Sequence, residues 1–261
     1  MTRQSTNKNN YFMEEKLKSQ LINLAQKYEV HSFINADPSQ FIYWYKNPEE
    51  IELACFVSAM LSFGSRKQFI PKIRSVLETA DKSWGIKKWL LSQNYNSDFS
   101  KENDAKFYRF YSYADMNSLF CNLEKAVKTD GSLGNALKTI YEKNPEKHLM
   151  DIISEYFADC KIVSHGKNSA HKRTNMFLRW MVRQNSPVDI GLWNWYSPEN
   201  LVIPMDVHVL QESIKLGLLP ENAKPDRKSA QLLTNQLKEV FPCDPCKGDF
   251  ALFGLGVDED N

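Results

Sequence analysis

Glycine is scarce in this chain, and the motifs that glycine normally builds are missing with it. The 261 residues include only 10 glycines, and none of them forms a GxGxxG unit between a strand and a helix or a P-loop. Proteins that bind dinucleotides or nucleoside triphosphates depend on such loops to approach the phosphates. The sequence therefore speaks against these classes, and we expect no small-molecule cofactor.

Long apolar runs and an excess of charge of one sign are also missing. No apolar run approaches the roughly 20 residues needed to span a bilayer, and the polar segment 1–10 lacks the apolar stretch of a signal peptide. Lysine and arginine number 33 against 32 acidic residues, so the net charge of +1 gives no global electrostatic reason to expect nucleic acid. We expect a cytoplasmic protein without membrane contact, with residues 1–10 disordered.

The cysteines are odd in number and scattered, which speaks against a disulfide framework. Cys243 and Cys246 have the spacing of half a metal site, but no second pair or nearby histidine completes four ligands. We therefore predict reduced thiols and no bound metal.

Apolar residues recur mainly at helical spacing, and this periodicity predicts an all-α fold with many short helices. Asn47-Pro48 is a helix start signal, and residues 51–61 after it are apolar on almost every side, as in a helix at the centre of a core. Residues 95–104 are predicted to be a polar loop. Further helices are predicted over 11–28, 113–128, 145–157, 172–184, 206–216, 226–240 and 249–255, with others opening at residues 38, 66 and 133.

Lys172 and Asp206 stand in local settings that suit catalysis. Lys172 opens an amphipathic helix, and Asp206 follows the apolar segment 201–205 at the start of another helix. A lysine near a helix N-terminus that faces a carboxylate suits amine nucleophile chemistry. The ordinary interpretation is that Lys172 shares a solvated helix face with Arg179 and Arg183, and that Asp206 is an N-cap.

The segment from Cys160 to Val188 contains six basic residues and no acidic one. In a chain of balanced charge, such a local excess predicts a phosphate-binding surface. We expect this run to form a continuous positive surface beside the site. The candidate nucleic-acid contacts are Ser65, Arg66, Lys67, Lys167, Arg173 and Arg179.

Two short strings resemble the helix-hairpin-helix DNA glycosylases, closest in their lysine-bearing 8-oxoguanine and endonuclease III branches. They are Lys172-x-x-x-x-Phe177-Leu178-Arg179 and Met205-Asp206-Val207-His208-Val209. The segment 61–66 is similar to the one whose following loop penetrates DNA in those enzymes. Over about residues 38–257 the chain resembles still more closely an uncharacterised bacterial family, through the runs 172–183 and 249–256.

The resemblance implies a two-lobed helical fold of the glycosylase type, with lobe A over 11–65 and 206–261 and lobe B over 66–205. It implies a DNA-repair N-glycosylase with lyase activity on damaged, possibly oxidised bases in duplex DNA. Lys172 would attack the sugar and form a Schiff base, and Asp206 would deprotonate the lysine or stabilise cationic sugar character. The two side chains would then face each other across one cleft, within about 10 Å.

The chain departs from those enzymes in two ways that leave alternatives open. The stretch before Lys172 holds a single glycine, Gly166, where the glycosylase hairpin has Gly-x-Gly, and Lys172 and Asp206 are farther apart in the sequence. One alternative is a non-catalytic helical module that retains the fold and binds nucleic acid or protein. Another is a structural or interaction protein with no nucleic acid partner.

Overall fold

The computed structural model describes the backbone of residues 13–259 and the side chains of residues 13–256. Residues 1–10, predicted to be disordered, lie outside this range. The described chain is helical apart from one small antiparallel hairpin, which confirms the all-α class. The helices are α1 (Glu15–Tyr28), α2 (Pro48–Leu61), α3 (Arg66–Asp81), α4 (Ile86–Leu91), α5 (Tyr95–Asp98), α6 (Tyr113–Asp130), α7 (Leu133–Lys143), α8 (Leu149–Tyr156), α9 (Lys172–Val182), α10 (Val207–Lys215), α11 (Arg227–Lys238) and α12 (Lys247–Glu259), with 3₁₀ helices at His31–Ala36, Pro38–Trp44 and Pro198–Asn200 and strands β1 (Lys106–Tyr108) and β2 (Tyr111–Ser112).

Helix α2 lies at the centre of the core, as the almost wholly apolar sequence of residues 51–61 predicts. The Asn47 side chain accepts a hydrogen bond from the backbone N–H of Glu49 and caps the helix. Every residue from Ile51 to Leu61 is buried. α2 packs against α9, which begins with Lys172, and also contacts α3, α4 and α7. The helix that opens with the candidate lysine is therefore fixed against the best-packed element of the fold.

The sequence did not predict the β1–β2 hairpin, which lies just beyond the expected polar loop. Its strands have only three and two residues, too few for an alternating pattern to emerge. Other boundaries differ modestly: the helix predicted over 145–157 begins at Leu149, and the loop predicted over 95–104 contains α5.

One contiguous hydrophobic cluster draws side chains from both predicted lobes. The division into lobes stays a prediction. Among the described residues, no helix combines the length and apolar character needed to cross a membrane.

Helix α12 packs against α1 and α10, so the last described helix lies beside the first. Gly254 makes the close approach possible, because a Cβ atom there would lie 2.1 Å from Cδ2 and 2.2 Å from Cγ of the Tyr28 ring. Gly256, two residues further along the same helix, has its nearest such neighbour at 3.4 Å. Only the first glycine is required by the α1–α12 contact.

Gly254→Ala is therefore expected to lower the free energy of unfolding by about 1–3 kcal/mol, the usual cost of overpacking a core. Gly256→Ala is the matched control, and we expect a change within about 1 kcal/mol, since alanine also favours the helix. Urea unfolding of both variants measures the difference. Equal stability of the two variants would contradict the proposed contact.

Candidate active site

A cleft of about 920 Å³ is formed by four segments that are far apart in the sequence. They are the loop 62–65 with the start of α3, one face of α9, the segment 204–209, and α12, and the 3₁₀ segments around residues 33–38, together with Pro225, complete the wall. The size falls within the range of ligand pockets. The aromatic part of its wall consists of Phe33, Phe63, Phe69 and Phe253.

Lys172 and Asp206 face each other in this cleft. The Lys172 Nζ lies 3.9 Å from the Asp206 Oδ2, so the expected proximity is confirmed. The two side chains are 30% and 26% exposed, and a ligand in the cleft can therefore reach them. Their catalytic role stays a prediction.

The local chain explains how each of the two groups is held. The Asp206 Oδ1 accepts a hydrogen bond from the backbone N–H of Val209 at 3.0 Å and caps α10, which leaves Oδ2 for Lys172. The Lys172 ammonium lies 3.8 Å from the Met176 sulfur one turn along α9. Asp206 is thus an N-cap, as its ordinary interpretation predicts, and it is at the same time a carboxylate of the cleft.

Arg179 and Arg183 do not lie on a solvated face with Lys172; they are only 4% and 2% exposed. Arg179 donates to Asp189 and Asp249, and Arg183 donates to Asp189, to Asp244 and to Glu29. Both guanidinium groups also stack over the Phe250 ring. The prediction of a solvated face was wrong, because these partners come from distant parts of the chain.

The buried pairing also corrects one predicted phosphate contact. The guanidinium of Arg179 is committed to Asp189 and Asp249 and is not available to a phosphate. The basic run from Lys161 to Arg183 consequently does not form one continuous positive surface.

Ser65, Arg66 and Lys67 line the mouth of the cleft at the start of α3. The Arg66 guanidinium lies 3.8 Å from the Asp37 carboxylate and 5.1 Å from the centre of the Phe253 ring. The first turn of α3 contains no acidic residue, and the Ser65 side chain does not cap it. Its backbone N–H groups and two basic side chains therefore favour an anion.

Arg173 lines the cleft but serves mainly as a clamp. It donates to the carbonyl oxygen of Met60 at the end of α2 and to the Tyr111 hydroxyl, and it stacks 5.0 Å from the Phe63 ring centre. These contacts tie the start of α9 to the cleft loop, so Arg173 positions the lysine beside it.

Lys167 is exposed and lies in a separate pocket of about 510 Å³ with His171 and Arg227. The Arg227 guanidinium binds both oxygens of Asp151 at 2.6 Å. The structure does not bring Lys167 together with the other candidate residues.

Asp249 is the site residue that the sequence did not reveal. It lies in the first turn of α12, is only 5% exposed, and lines the cleft. An acidic residue in a first helical turn is ordinarily explained by the helix dipole, so the sequence gives no reason to place Asp249 in a site. The reason comes from the tertiary fold, which buries Asp249 against Arg179 in the wall of the cleft.

Burial raises the pKa of Asp249 from its ordinary value of 3.8 to about 6. The positive charges of Arg179 and Lys172 oppose this rise, whereas the Asp206 carboxylate adds to it. The neutral acid is thus favoured in the folded protein relative to the unfolded chain.

Asp249→Asn is expected to change the pH dependence of stability. In the wild type, the free energy of unfolding is highest, as far as Asp249 determines it, below pH 3.8, where the group is protonated in both the folded and the unfolded state. It falls as the pH rises to about 6, because the unfolded chain ionises Asp249 more readily than the folded protein does. The amide stays neutral, so the variant should gain up to about 3 kcal/mol relative to the wild type across this window. Urea unfolding at pH 4 and pH 7 measures the gain. A difference between wild type and variant that is the same at both pH values would contradict the raised pKa.

The two cysteines of the half metal site differ in exposure: Cys243 is exposed and Cys246 is buried. In the described part of the chain, no group of three or more His, Cys, Asp or Glu side chains is arranged to hold a metal ion. That the protein binds no metal stays a prediction, which metal analysis of the purified protein tests.

Comparison with known proteins supplies a family but no activity. No curated protein and no solved structure matches the chain. A family model matches residues 37–258, nearly the range over which the sequence resembles an uncharacterised family. The resemblance to DNA glycosylases therefore rests on the residues of the chain itself. By the extent of the match, the chain belongs to the family described as protein of unknown function (DUF2400).

Proposed function

We propose that the protein has the helix-hairpin-helix glycosylase fold and is a DNA-repair N-glycosylase with lyase activity. The observation that carries this proposal is the 3.9 Å approach of the Lys172 Nζ to the Asp206 Oδ2 within an open cleft. The amine is at hand for a nucleophilic attack, and the carboxylate is placed to receive or shield the charge that the attack creates.

In the proposed reaction, the damaged base leaves the stack and enters the cleft. The neutral Lys172 amine forms a bond to the sugar C1′ as the bond between C1′ and the base nitrogen breaks. Asp206 stabilises the cationic sugar and accepts the proton that the lysine nitrogen releases. The base nitrogen leaves with the electron pair of the broken bond and takes a proton from solvent. Asp206 then gives its proton to O4′ as the bond between C1′ and O4′ breaks and the sugar ring opens, and the product is a protonated imine between Lys172 and C1′.

The phosphate backbone is proposed to contact the start of α3. Ser65, Arg66 and Lys67 combine helix N–H groups with two positive side chains at the cleft mouth. This anchor replaces the Gly-x-Gly hairpin of the glycosylases that the chain resembles. Lys167, which lines the second pocket, would contact the phosphate backbone outside the cleft.

A non-catalytic nucleic-acid-binding module is the second candidate. It is favoured by the stretch before Lys172, which holds the single glycine Gly166 where the glycosylase hairpin has Gly-x-Gly, since the chain then lacks a feature of the active enzymes that it resembles. Both candidates require binding to duplex DNA that weakens steeply as salt rises. Affinity that does not depend on salt would instead favour a protein without a nucleic acid partner.

Borohydride trapping separates the two candidates, because it reduces the imine to a stable bond. The protein is incubated with duplexes that carry an oxidised purine, an oxidised pyrimidine or an abasic site. We expect a covalent protein–DNA adduct with at least one of them. Salt-dependent binding without an adduct on any substrate would favour the non-catalytic module.

Asp206→Asn is expected to slow base release by about a hundredfold or more, the range usual for acid–base groups, while duplex binding is retained. Asparagine is also a good N-cap, so α10 should remain formed. Single-turnover kinetics and a binding titration measure the two effects. Base release at the wild-type rate would remove Asp206 from the mechanism.

A further inference from the structure

Besides Asp206, two carboxylates line the cleft that the proposed glycosylase step does not use. Asp37 accepts a hydrogen bond from the Ser39 backbone N–H and lies 3.8 Å from the Arg66 guanidinium; the other carboxylate is Asp249. It reaches the site from α12, whereas Lys172 comes from α9 and Asp206 from the cap of α10. Its charge interacts with those of Lys172 and Asp206, so the three groups share one electrostatic environment.

Asp206 and Asp249 are held differently. Asp206 has one oxygen on the Val209 N–H and presents the other to the lysine nitrogen, the atom that bonds to C1′. The Oδ2 of Asp249 accepts a hydrogen bond from Arg179, which leaves Oδ1 as the oxygen that is not committed to Arg179. Phe253, one turn further along α12, lines the same cleft. Asp249 is therefore a largely desolvated carboxylate, held by Arg179, that lines the same cleft as the lysine.

The lyase half of the proposed function needs a base of this kind. Once Lys172 is joined to C1′ as an imine, the proton on the neighbouring carbon, C2′, becomes acidic. Its removal converts the imine into an enamine. The electron pair then expels the 3′ phosphate, forms the C2′–C3′ double bond and restores the imine, so that the strand is cut. The base that accepts the C2′ proton should lie next to the lysine nitrogen, because C2′ is bonded to C1′.

We propose that Asp249 is this base: it accepts the C2′ proton from the Lys172 imine, while Asp206 serves the earlier attack on C1′. The proposal rests on the proposed function. Arg179 holds the Asp249 carboxylate in place and on its other side binds Asp189, so it remains paired when Asp249 takes up a proton.

The acidity of the group supports the assignment. Burial raises the pKa of Asp249 to about 6, against the opposing charges of Arg179 and Lys172. A carboxylate in this range is mostly ionised at neutral pH yet is a stronger base than an ordinary aspartate. Two carboxylates in one site with different surroundings commonly divide the proton transfers between them.

Asp249→Asn is expected to separate the two halves of the reaction on a duplex with a single abasic site. Borohydride trapping, which reports the imine, should stay within about threefold of the wild type. Strand cleavage without borohydride should be slower by about a hundredfold or more, the usual contribution of a general base. Thermal unfolding of the variant verifies that it is folded, and Asp249→Ser provides a second uncharged side chain if the asparagine variant does not fold.

Asp244→Asn is the matched control. Asp244 belongs to the same buried ionic cluster, through Arg183, but does not line the cleft. Both trapping and cleavage should match the wild type in this variant, so that a loss in Asp249→Asn is not attributed to the ionic cluster as a whole.

The outcomes distinguish this inference from the proposed function. If the wild type forms no adduct, both the proposed function and the role of Asp249 are wrong. If the wild type forms an adduct and cuts the strand but Asp249→Asn cuts equally fast, the inference alone is overturned. A folded Asp249→Asn variant that loses trapping together with cleavage would also overturn it, because Asp249 would then act before the imine.

Discussion

Lys172→Gln should form no borohydride-trapped adduct on any substrate that traps the wild type. The amide nitrogen of glutamine cannot form an imine with a sugar aldehyde, and the rate enhancement that depends on covalent catalysis is lost with it. Duplex binding should be largely retained, since the residues proposed to contact phosphate lie on α3. Gel analysis of the reduced reaction measures the adduct.

Lys138→Gln is the matched control for this prediction. Lys138 lies on α7, outside the cleft, and its ammonium is 3.8 Å from Glu142 on the same helix. Its variant should give the wild-type amount of adduct. If the Lys172 variant still forms adduct, another lysine is the nucleophile and the assignment of Lys172 is wrong.

Arg183→Met should destabilise the fold by about 3–5 kcal/mol, the usual cost of breaking a buried ion pair from one side. Methionine fills part of the volume, but Glu29 and Asp189, whose side chains are almost inaccessible to water, each lose a cation, and the partly exposed Asp244 loses its arginine partner as well. The penalty arises from the carboxylates left behind rather than from lost contact area. Urea unfolding at neutral pH measures the effect.

Lys247→Met tests the same cluster at its surface. The Lys247 ammonium is 3.9 Å from the Glu29 carboxylate, and its side chain is 40% exposed. Partly exposed ion pairs contribute little to stability, so we expect the free energy of unfolding to fall by less than about 1 kcal/mol. If the free energy of unfolding fell no further in Arg183→Met than in Lys247→Met, the buried ionic cluster would not be a major source of stability.

Those features of the fold that depend on neighbouring residues were predictable from the sequence. The caps Asn47 and Asp206 stand in the sequence next to the helix starts that they define. The burial of α2 followed from the apolar composition of residues 51–61.

Features that depend on partners from elsewhere in the chain were not predictable. Arg179 and Arg183 look like exposed residues of an amphipathic helix until Asp189, Asp244 and Asp249 are brought beside them. The site divides in the same way: Lys172 and Asp206 stand in distinctive local strings, whereas Asp249 becomes distinctive only when α12 is folded over the cleft.

The packing of α12 against α1 sets the order in which the molecule can be completed during synthesis. A nascent chain exposes α1, with its apolar face at Leu21 and Ala25, long before the ribosome has made the helix that α1 contacts. Closing so large a loop is entropically costly and slow compared with forming local helices. The cleft therefore acquires Asp249 and Phe253 only once α12 has been synthesised and packed, and until then the lysine side of the site lacks the wall that α12 supplies.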